Sequence, residues 1–207
     1  MYIPSSFSET DLTKLFDFIE QHNFGLVVSQ LDNEPVAVHL PLLLDRQAGQ
    51  SGMLIGHMAR ANPQWQAANR NVLVVFTGPH AYISPSWYEA ENVVPTWNYV
   101  AVHVYGILHL IEEDEATLKI LRELVVLHEK SMPKPWGFRD DDKFLNRLAE
   151  SVVAFQVEIT RIEGKWKLSQ NHPREQREKV IDALALQRGE NSQAIAALMA
   201  RTLYEQK

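Results

Sequence analysis

The stretch Gly56-His57-Met58-Ala59-Arg60-Ala61-Asn62-Pro63-Gln64-Trp65 has the clearest chemical content. A strand ends, an arginine follows, and Asn62-Pro63 opens a short helix, with Asn62 as cap and Pro63 at the first helical position. A helix start exposes unpaired N–H groups and the positive end of a dipole, which suits a phosphate. A guanidinium beside it adds a planar, two-pronged donor. The same residues also describe a plain capped junction with a solvated arginine. Spacing alone leaves both readings open.

Two further clusters carry polar groups. Trp166-Lys167-Leu168-Ser169-Gln170-Asn171 offers a cation and amides at a strand end, suited to an anionic or heterocyclic ligand or to an ordinary strand terminus before Pro173. Pro95-Thr96-Trp97-Asn98-Tyr99, with Tyr82, Ser84, Trp87 and Tyr88 upstream, sets aromatic rings beside polar groups. A planar ligand could stack there, a partner subunit could anchor there, or the rings could pack a core.

Several chemistries lack a signature. His103 and His109 share a strand face but stand about 20 Å apart at ~3.3 Å per residue. The histidines form no HExxH, so no metal site is expected. GxSxG, Walker A and GxGxxG are missing as well. No acid–base pair stands at a fixed spacing, which leaves catalytic residues unassigned.

These clusters need a scaffold. Leu12, Leu15, Phe16 and Ile19 recur at helical spacing, with Ser8 expected as N-cap and Asp11 three residues on. Strand-like runs follow at 24–31, 35–44 and 53–58, joined by hairpin-length connections. A strand buried on both faces is expected over Val72–Thr77, broken by Gly78-Pro79, with a short strand at Ala81–Ser84. Trp97–Ile111 is the longest strand signal. Val100, Val102, Val104, Leu108 and Leu110 fall on one face, and His103, Tyr105, Ile107 and His109 on the other. Helices are expected at Glu113–Glu129 and Asp142–Ser151. A strand at Val153–Ile159 is expected to turn at Glu163-Gly164 into a further run, Lys165–Gln170. Two terminal helices, Pro173–Arg188 and Ser192–Glu205, close the chain. Hairpin-linked strands with few intervening helices exclude parallel βαβ winding and favour an antiparallel barrel with peripheral helices, an α+β class that is mainly β.

Composition narrows the function. The 207 residues hold no cysteine, which excludes disulfides, thiolate catalysis and Cys-ligated zinc. Hydrophobic residues at 45% exclude a disordered chain. No apolar run approaches the roughly 20 residues of a membrane helix, and the N-terminus reads as no signal peptide, so a cytoplasmic protein without a membrane partner is expected. A net charge of −6 gives no overall attraction to a nucleic-acid backbone. From His172 to Lys207, six basic side chains against five acidic ones make no basic stripe, and packing or dimerisation is favoured there over DNA reading. DNA therefore stays a partner that charge does not support.

Taken together, the blocks have a family look. Met1-Tyr2-Ile3-Pro4 with Phe7, His57 to Trp65, Phe76 to Tyr88, Val94 to Tyr99 and Lys167 to Asn171 stand in the order of the PaiB family of FMN-binding negative transcriptional regulators, and the chain resembles it over nearly its whole length. The resemblance implies a split β-barrel related to pyridoxamine-phosphate oxidases. It also implies a single domain over 1–207, with a helical extension from about residue 172, and a homodimer with FMN at the subunit interface. It places His57 and Met58 near the isoalloxazine or ribityl chain, and Arg60, Ala61 and Asn62 at the phosphate. Lys167, Gln170 and Asn171 become contacts from a second segment, which the partner subunit could supply, with Trp97 and Asn98 as further contacts. The expected function is that of an FMN-binding, PaiB-type regulator, with a flavin-dependent oxidoreductase as the alternative.

Overall fold

The computed structural model describes residues 1–139 and 143–204. In chain order it contains β1 (Ser8–Glu9), α1 (Leu12–Gln21), β2 (Phe24–Leu31), β3 (Glu34–Pro41), β4 (Leu43–Asp45) and β5 (Met53–Ala59). Then come β6 (Asn71–Ile83), β7 (Thr96–Ile111), α2 (Asp114–Glu129), α3 (Lys143–Glu150), β8 (Val152–Lys167), α4 (Arg174–Ala185) and α5 (Glu190–Tyr204). Short 3-10 turns occupy Ser5–Phe7, Pro63–Ala67 and Pro85–Tyr88. The sheet order is β3-β2-β6-β7-β8-β5-β4, with β1 also on β8. Every pair with an established register is antiparallel.

The chain divides into two compact units. One comprises Met1–Leu15, Thr77–Val102 and Glu163–Lys207, and the other Phe16–Phe76 and His103–Ile162. Their borders fall inside α1, β6, β7 and β8.

In the second unit, β2 and β3 form a hairpin whose turn residues, Asp32 and Asn33, both have positive φ (49° and 66°). That is the left-handed backbone a two-residue hairpin requires, and Asp and Asn tolerate it. The run expected as one strand over 35–44 is divided at Leu42. Its amide donates to the Asn23 carbonyl at 2.9 Å and its side chain is buried. Beyond it the chain pairs with β5 as β4. A layer of Ile120, Leu124 and Ala154, joined by Leu43, Ile55 and Ile111, sits between α2 and the sheet. Along β7 the two faces sort as expected. Val100, Val102, Val104 and Leu108 are buried and His103, Tyr105, Ile107 and His109 half-buried, but Leu110, placed with the first set, is half-buried near the strand end.

Five expectations need correction. Ser8 does not cap α1 but pairs with Lys165 in β1. Asp11 is the cap, its Oδ1 accepting from the amides of Thr13 at 2.9 Å and Lys14 at 3.3 Å. Leu12, expected on the buried face, is 46% exposed, while Leu15, Phe16 and Ile19 are buried. Strand β6 continues through Gly78-Pro79. Its register with β2 covers Leu73 to Val75 only, so a residue without an N–H breaks no bond of that ladder further on. Strand β8 runs unbroken through Glu163-Gly164. Gly164 serves close approach rather than a turn: a Cβ there would lie 2.3 Å from Leu15 Cδ2 and 3.1 Å from the Glu9 carbonyl of β1. On Val72–Thr77, burial alternates: Val72, Val74 and Phe76 are buried, whereas Leu73 and Val75 are half-buried.

In the first unit, α4 and α5 pack together, and α4 packs on the 85–88 turn. Val180, Leu184, Ile195 and Met199 are fully buried. The buried Arg177 donates to the Thr202 hydroxyl from inside this pair. The expected ends at Asp142 and Glu205 lie outside the described residues.

Candidate functional site

Strand β5 delivers the first cluster. Its pairing with β8 sets His57 opposite Ala154 and Met58 opposite Val153. Alternation then divides the side chains: Leu54 and Met58 are buried on one face, and Ile55 and His57 lie on the other. Gly56 between them is required by contact, since a Cβ would stand 2.7 Å from Leu42 Cδ2. The Nδ1 of His57 is buried with no hydrogen-bond partner among the described residues. Burial lowers the His57 pKa and so favours the neutral ring.

The chain leaves β5 through a tightly bonded corner. The Arg60 amide donates to Ser151 O at 2.9 Å and the Asn62 amide to Ala59 O at 2.9 Å. Asn62 Oδ1 accepts from the Gln64 amide at 3.0 Å, with Pro63 next to it at the first position of the turn. The element that follows is a 3-10 turn rather than an α-helix. Its buried Gln64 donates from Nε2 to Val27 O at 2.9 Å, and Trp65 Nε1 reaches back to Arg60 O at 3.1 Å.

Arg60 is exposed and oriented. Its Nε donates to Glu150 O at 2.8 Å and its Nη2 to Val152 O at 2.7 Å. A guanidinium has five N–H groups. Two are committed to these carbonyls, and the other three meet no acceptor among the described residues. The cation is thus held by the backbone where β8 begins, with donors left for an anion.

The second cluster belongs to the first unit. Asn98 is fully buried, and its Nδ2 donates to Ser169 Oγ at 3.0 Å and Met199 Sδ at 3.3 Å. Ser169 Oγ also meets the Tyr88 hydroxyl at 2.9 Å. Burial raises the Tyr88 pKa, against the smaller opposing effect of the Ser169 bond. Tyr88 stacks on His172 at 4.5 Å between centroids. Gln170 folds back, accepting at Oε1 from the Leu168 amide at 2.7 Å and donating from Nε2 to Trp166 O at 2.6 Å. Trp97 is 54% exposed and stands beside His80 and Tyr82.

Two lysines give this cluster its charge. Lys167 Nζ donates to Trp97 O at 2.9 Å and to the Thr96 hydroxyl. Lys165, 8% exposed, donates to Tyr2 O at 3.0 Å, with its ammonium 5.2 Å from the Tyr99 ring centre. Neither meets a carboxylate among the described residues. Burial, and then the Lys165 charge, lower the Lys167 pKa. A cavity of about 360 Å³ opens here, lined by Asn98, Lys167, Ser169, Asn171 and His172 among others.

The residues singled out in the sequence therefore gather as two sets. His57, Met58, Arg60, Ala61 and Asn62 lie in one unit, and Trp97, Asn98, Lys167, Gln170 and Asn171 in the other. Met58 and Asn98 turn their side chains into the protein, and both ends of the Gln170 amide are engaged locally. Thr96 stands within the Pro95–Tyr99 cluster and His172 next to Asn171, but neither was singled out as a site residue. Among the described residues, no three His, Asp or Glu side chains gather as a metal site, and no helix is long and apolar enough to cross a membrane.

The donor chemistry fits a flavin mononucleotide. Each cluster by itself carries groups of a kind that suits part of it: in the second unit Arg60 has remaining donors of the sort a phosphate takes, and in the first unit Lys167 carries a cation with no carboxylate beside it among the described residues, with Asn171 and Trp97 exposed.

Comparisons with known proteins agree. The family described as "Putative FMN-binding domain" matches residues 1–161. The "Protease synthase and sporulation protein PAI 2" of Bacillus subtilis (strain 168) is 38% identical over 217 aligned positions, covering 100% of both chains. Among solved structures, the FAD and heme binding protein from Mycobacterium smegmatis superposes with a TM-score of 0.58 at 16% identity, covering 77% of this chain and 73% of that one. The flavocytochrome Anf3 from Azotobacter vinelandii gives a TM-score of 0.58 at 13% identity, covering 77% and 69%. These likenesses support the expected fold class, a mainly antiparallel split barrel with peripheral helices. The resemblance to the PaiB family is borne out, and the chain belongs to this family of FMN-binding proteins, with FMN as its cofactor.

Proposed function

We propose that the protein is a cytoplasmic homodimer that holds FMN non-covalently and acts as a negative regulator of transcription. The observation that carries the cofactor reading is Arg60, fixed through two carbonyl bonds and still holding donors without acceptors beside Ala61 and Asn62. In this reading Arg60 and the turn take the phosphate. The main chain of His57 and Met58 lies along the ribityl and ring portion. Lys167, Asn171 and Trp97 are supplied by the second subunit, with Gln170 and Asn98 shaping the segment that presents them.

FMN, when bound, supplies a redox couple able to take one or two electrons. The chain's own residues do the rest. Arg60 provides charge-assisted hydrogen bonds whose geometry is set before binding, so little freedom is lost when the anion arrives. Lys167 gains a counter-charge it otherwise lacks. The exposed Trp97, with Tyr82 beside it, offers apolar area suited to burial between subunits.

The regulatory part rests on the resemblance to the PaiB family of negative transcriptional regulators, supported by the full-length likeness to the protease synthase and sporulation protein of Bacillus subtilis. With a charge of −6, DNA contact would have to come from a local surface of the dimer. Titrating the purified protein with FMN and with riboflavin, while following its mass in sedimentation, tests the cofactor and the dimer together. Tight FMN binding, weaker riboflavin binding and a dimeric mass are expected. A monomer that binds both equally would overturn the reading. Mobility shifts at several salt concentrations, with and without FMN, test the regulatory part.

A further inference from the structure

Arg60 closes the end of a helix as well as the corner it belongs to. Three consecutive carbonyls, where α3 passes into β8, accept from this one residue. Glu150 O takes Nε at 2.8 Å, Ser151 O takes the amide at 2.9 Å, and Val152 O takes Nη2 at 2.7 Å. The last carbonyls of an α-helix have no partners within it and carry its negative dipole end, so a cation is stabilised there. Ser151 holds the corner shut, since its amide and its hydroxyl both donate to Leu148 O, at 3.0 and 2.7 Å.

These bonds select which donors of the guanidinium stay free. Nε and the N–H of Nη2 on the same side form one edge of the group, and that edge is spent on Glu150 and Val152. The end fork remains, made of Nη1 and the second N–H of Nη2. It is a planar pair of the kind that grips two oxygens of one phosphate. The direction of that fork depends on where α3 ends. The helix has eight residues, too few to be stable alone, and it packs on α2. Leu145, 1% exposed, is its buried side chain.

We propose that α3 is the positioning element for the flavin phosphate, and that Leu145 is the positioning residue which, through the carbonyls of residues 150–152, aims the free fork of Arg60. The proposal rests on the reading of Arg60 as phosphate ligand and adds a residue that, being buried, acts only through it.

The test uses the full chain. Riboflavin shares the ring and ribityl chain of FMN and lacks the phosphate, so the ratio of the two affinities isolates the phosphate contact. Leu145→Ala should lower FMN affinity about tenfold relative to riboflavin, the equivalent of one charge-assisted hydrogen bond. Adding Leu145→Ala to Arg60→Ala should lower the ratio no further, because both act on one contact. Leu184→Ala, which opens a comparable buried site in α4, should leave the ratio unchanged. Coupling is reciprocal, so in the unaltered chain saturating FMN should slow hydrogen exchange of the α3 amides about tenfold more than saturating riboflavin. That measurement decides the matter if Leu145→Ala folds poorly.

Equal slowing by the two flavins overturns the proposal. So does an unchanged ratio in Leu145→Ala, or an equal loss of ratio in Leu184→Ala. If Arg60→Ala lowers the ratio in those cases, Arg60 keeps the phosphate and only the role of α3 is lost. If Arg60→Ala leaves the ratio unchanged, the phosphate reading of Arg60 falls and the proposal falls with it.

Discussion

The Nη2 of Arg60 donates to the carbonyl of Val152 at 2.7 Å, joining the end of one strand to the start of its neighbour. With the Nε bond to Glu150 O, this makes Arg60 a structural tie as well as a candidate anion ligand. Arg60→Ala should lower the stability of the FMN-free protein by about 1 kcal/mol, because an exposed tie is partly replaced by water. It should also weaken FMN about tenfold or more while leaving riboflavin affinity nearly unchanged. Urea denaturation and paired titrations measure the two effects separately. Equal weakening of both flavins would move the phosphate away from Arg60.

Asn98 offers the opposite contrast. Its amide is engaged by Ser169 and Met199 inside the first unit. Asn98→Ala should cost about 2 kcal/mol by leaving buried polar groups short of partners. The ratio of FMN to riboflavin affinity should stay constant. A changed ratio with unchanged stability would make Asn98 a direct phosphate contact.

Gly106 in β7 is a close-approach site. A Cβ there would stand 2.3 Å from the Glu158 carbonyl oxygen and 2.6 Å from Val157 Cγ1. Backbone cannot swing aside as a side-chain tip does, so Gly106→Ala should destabilise by about 3 kcal/mol, the upper end of the overpacking range. At Gly137 a Cβ meets nothing within 4 Å, and Gly137→Ala should change stability by less than about 0.5 kcal/mol. Thermal melts of the two variants decide it.

His57 and His103 set an acid limit. Each has a buried Nδ1 without a partner among the described residues, and burial lowers each pKa from the ordinary 6.5. Below pH 6.5 the unfolded chain takes up protons that the folded rings refuse, so unfolding becomes easier as pH falls. Above that pH the penalty vanishes. The slope contributed by each ring is at most about 1.4 kcal/mol per pH unit. His57→Phe and His103→Phe should each flatten the decline in stability between pH 6.5 and 5, as read from urea curves. An unaltered slope in both would place the acid sensitivity elsewhere.

Patterns of local chemistry were legible in the sequence. The hairpin-length connection between the first two strand runs, the two faces along β7 and the cap at Asn62 all follow from short-range rules, and the structure contains them. Where the reading failed, a distant neighbour decided the outcome. Gly164 looks like a turn residue until β1 is laid against it, and Ser8 looks like a cap until Lys165 claims it as a strand partner. The candidate site divides in the same way. Arg60 was found from its place beside Asn62-Pro63, but its ties to Glu150 and Val152 lie about ninety residues away and leave no local trace.

The borders of the two compact units fall within α1, β6, β7 and β8, at residues 15–16, 76–77, 102–103 and 162–163. Excising either unit as a fragment would cut the helix and all three strands in mid-run and leave raw ladder edges at each strand stump. Neither unit can therefore be swapped, truncated or expressed alone by a single cut, and a circular permutant should keep these four crossings whole.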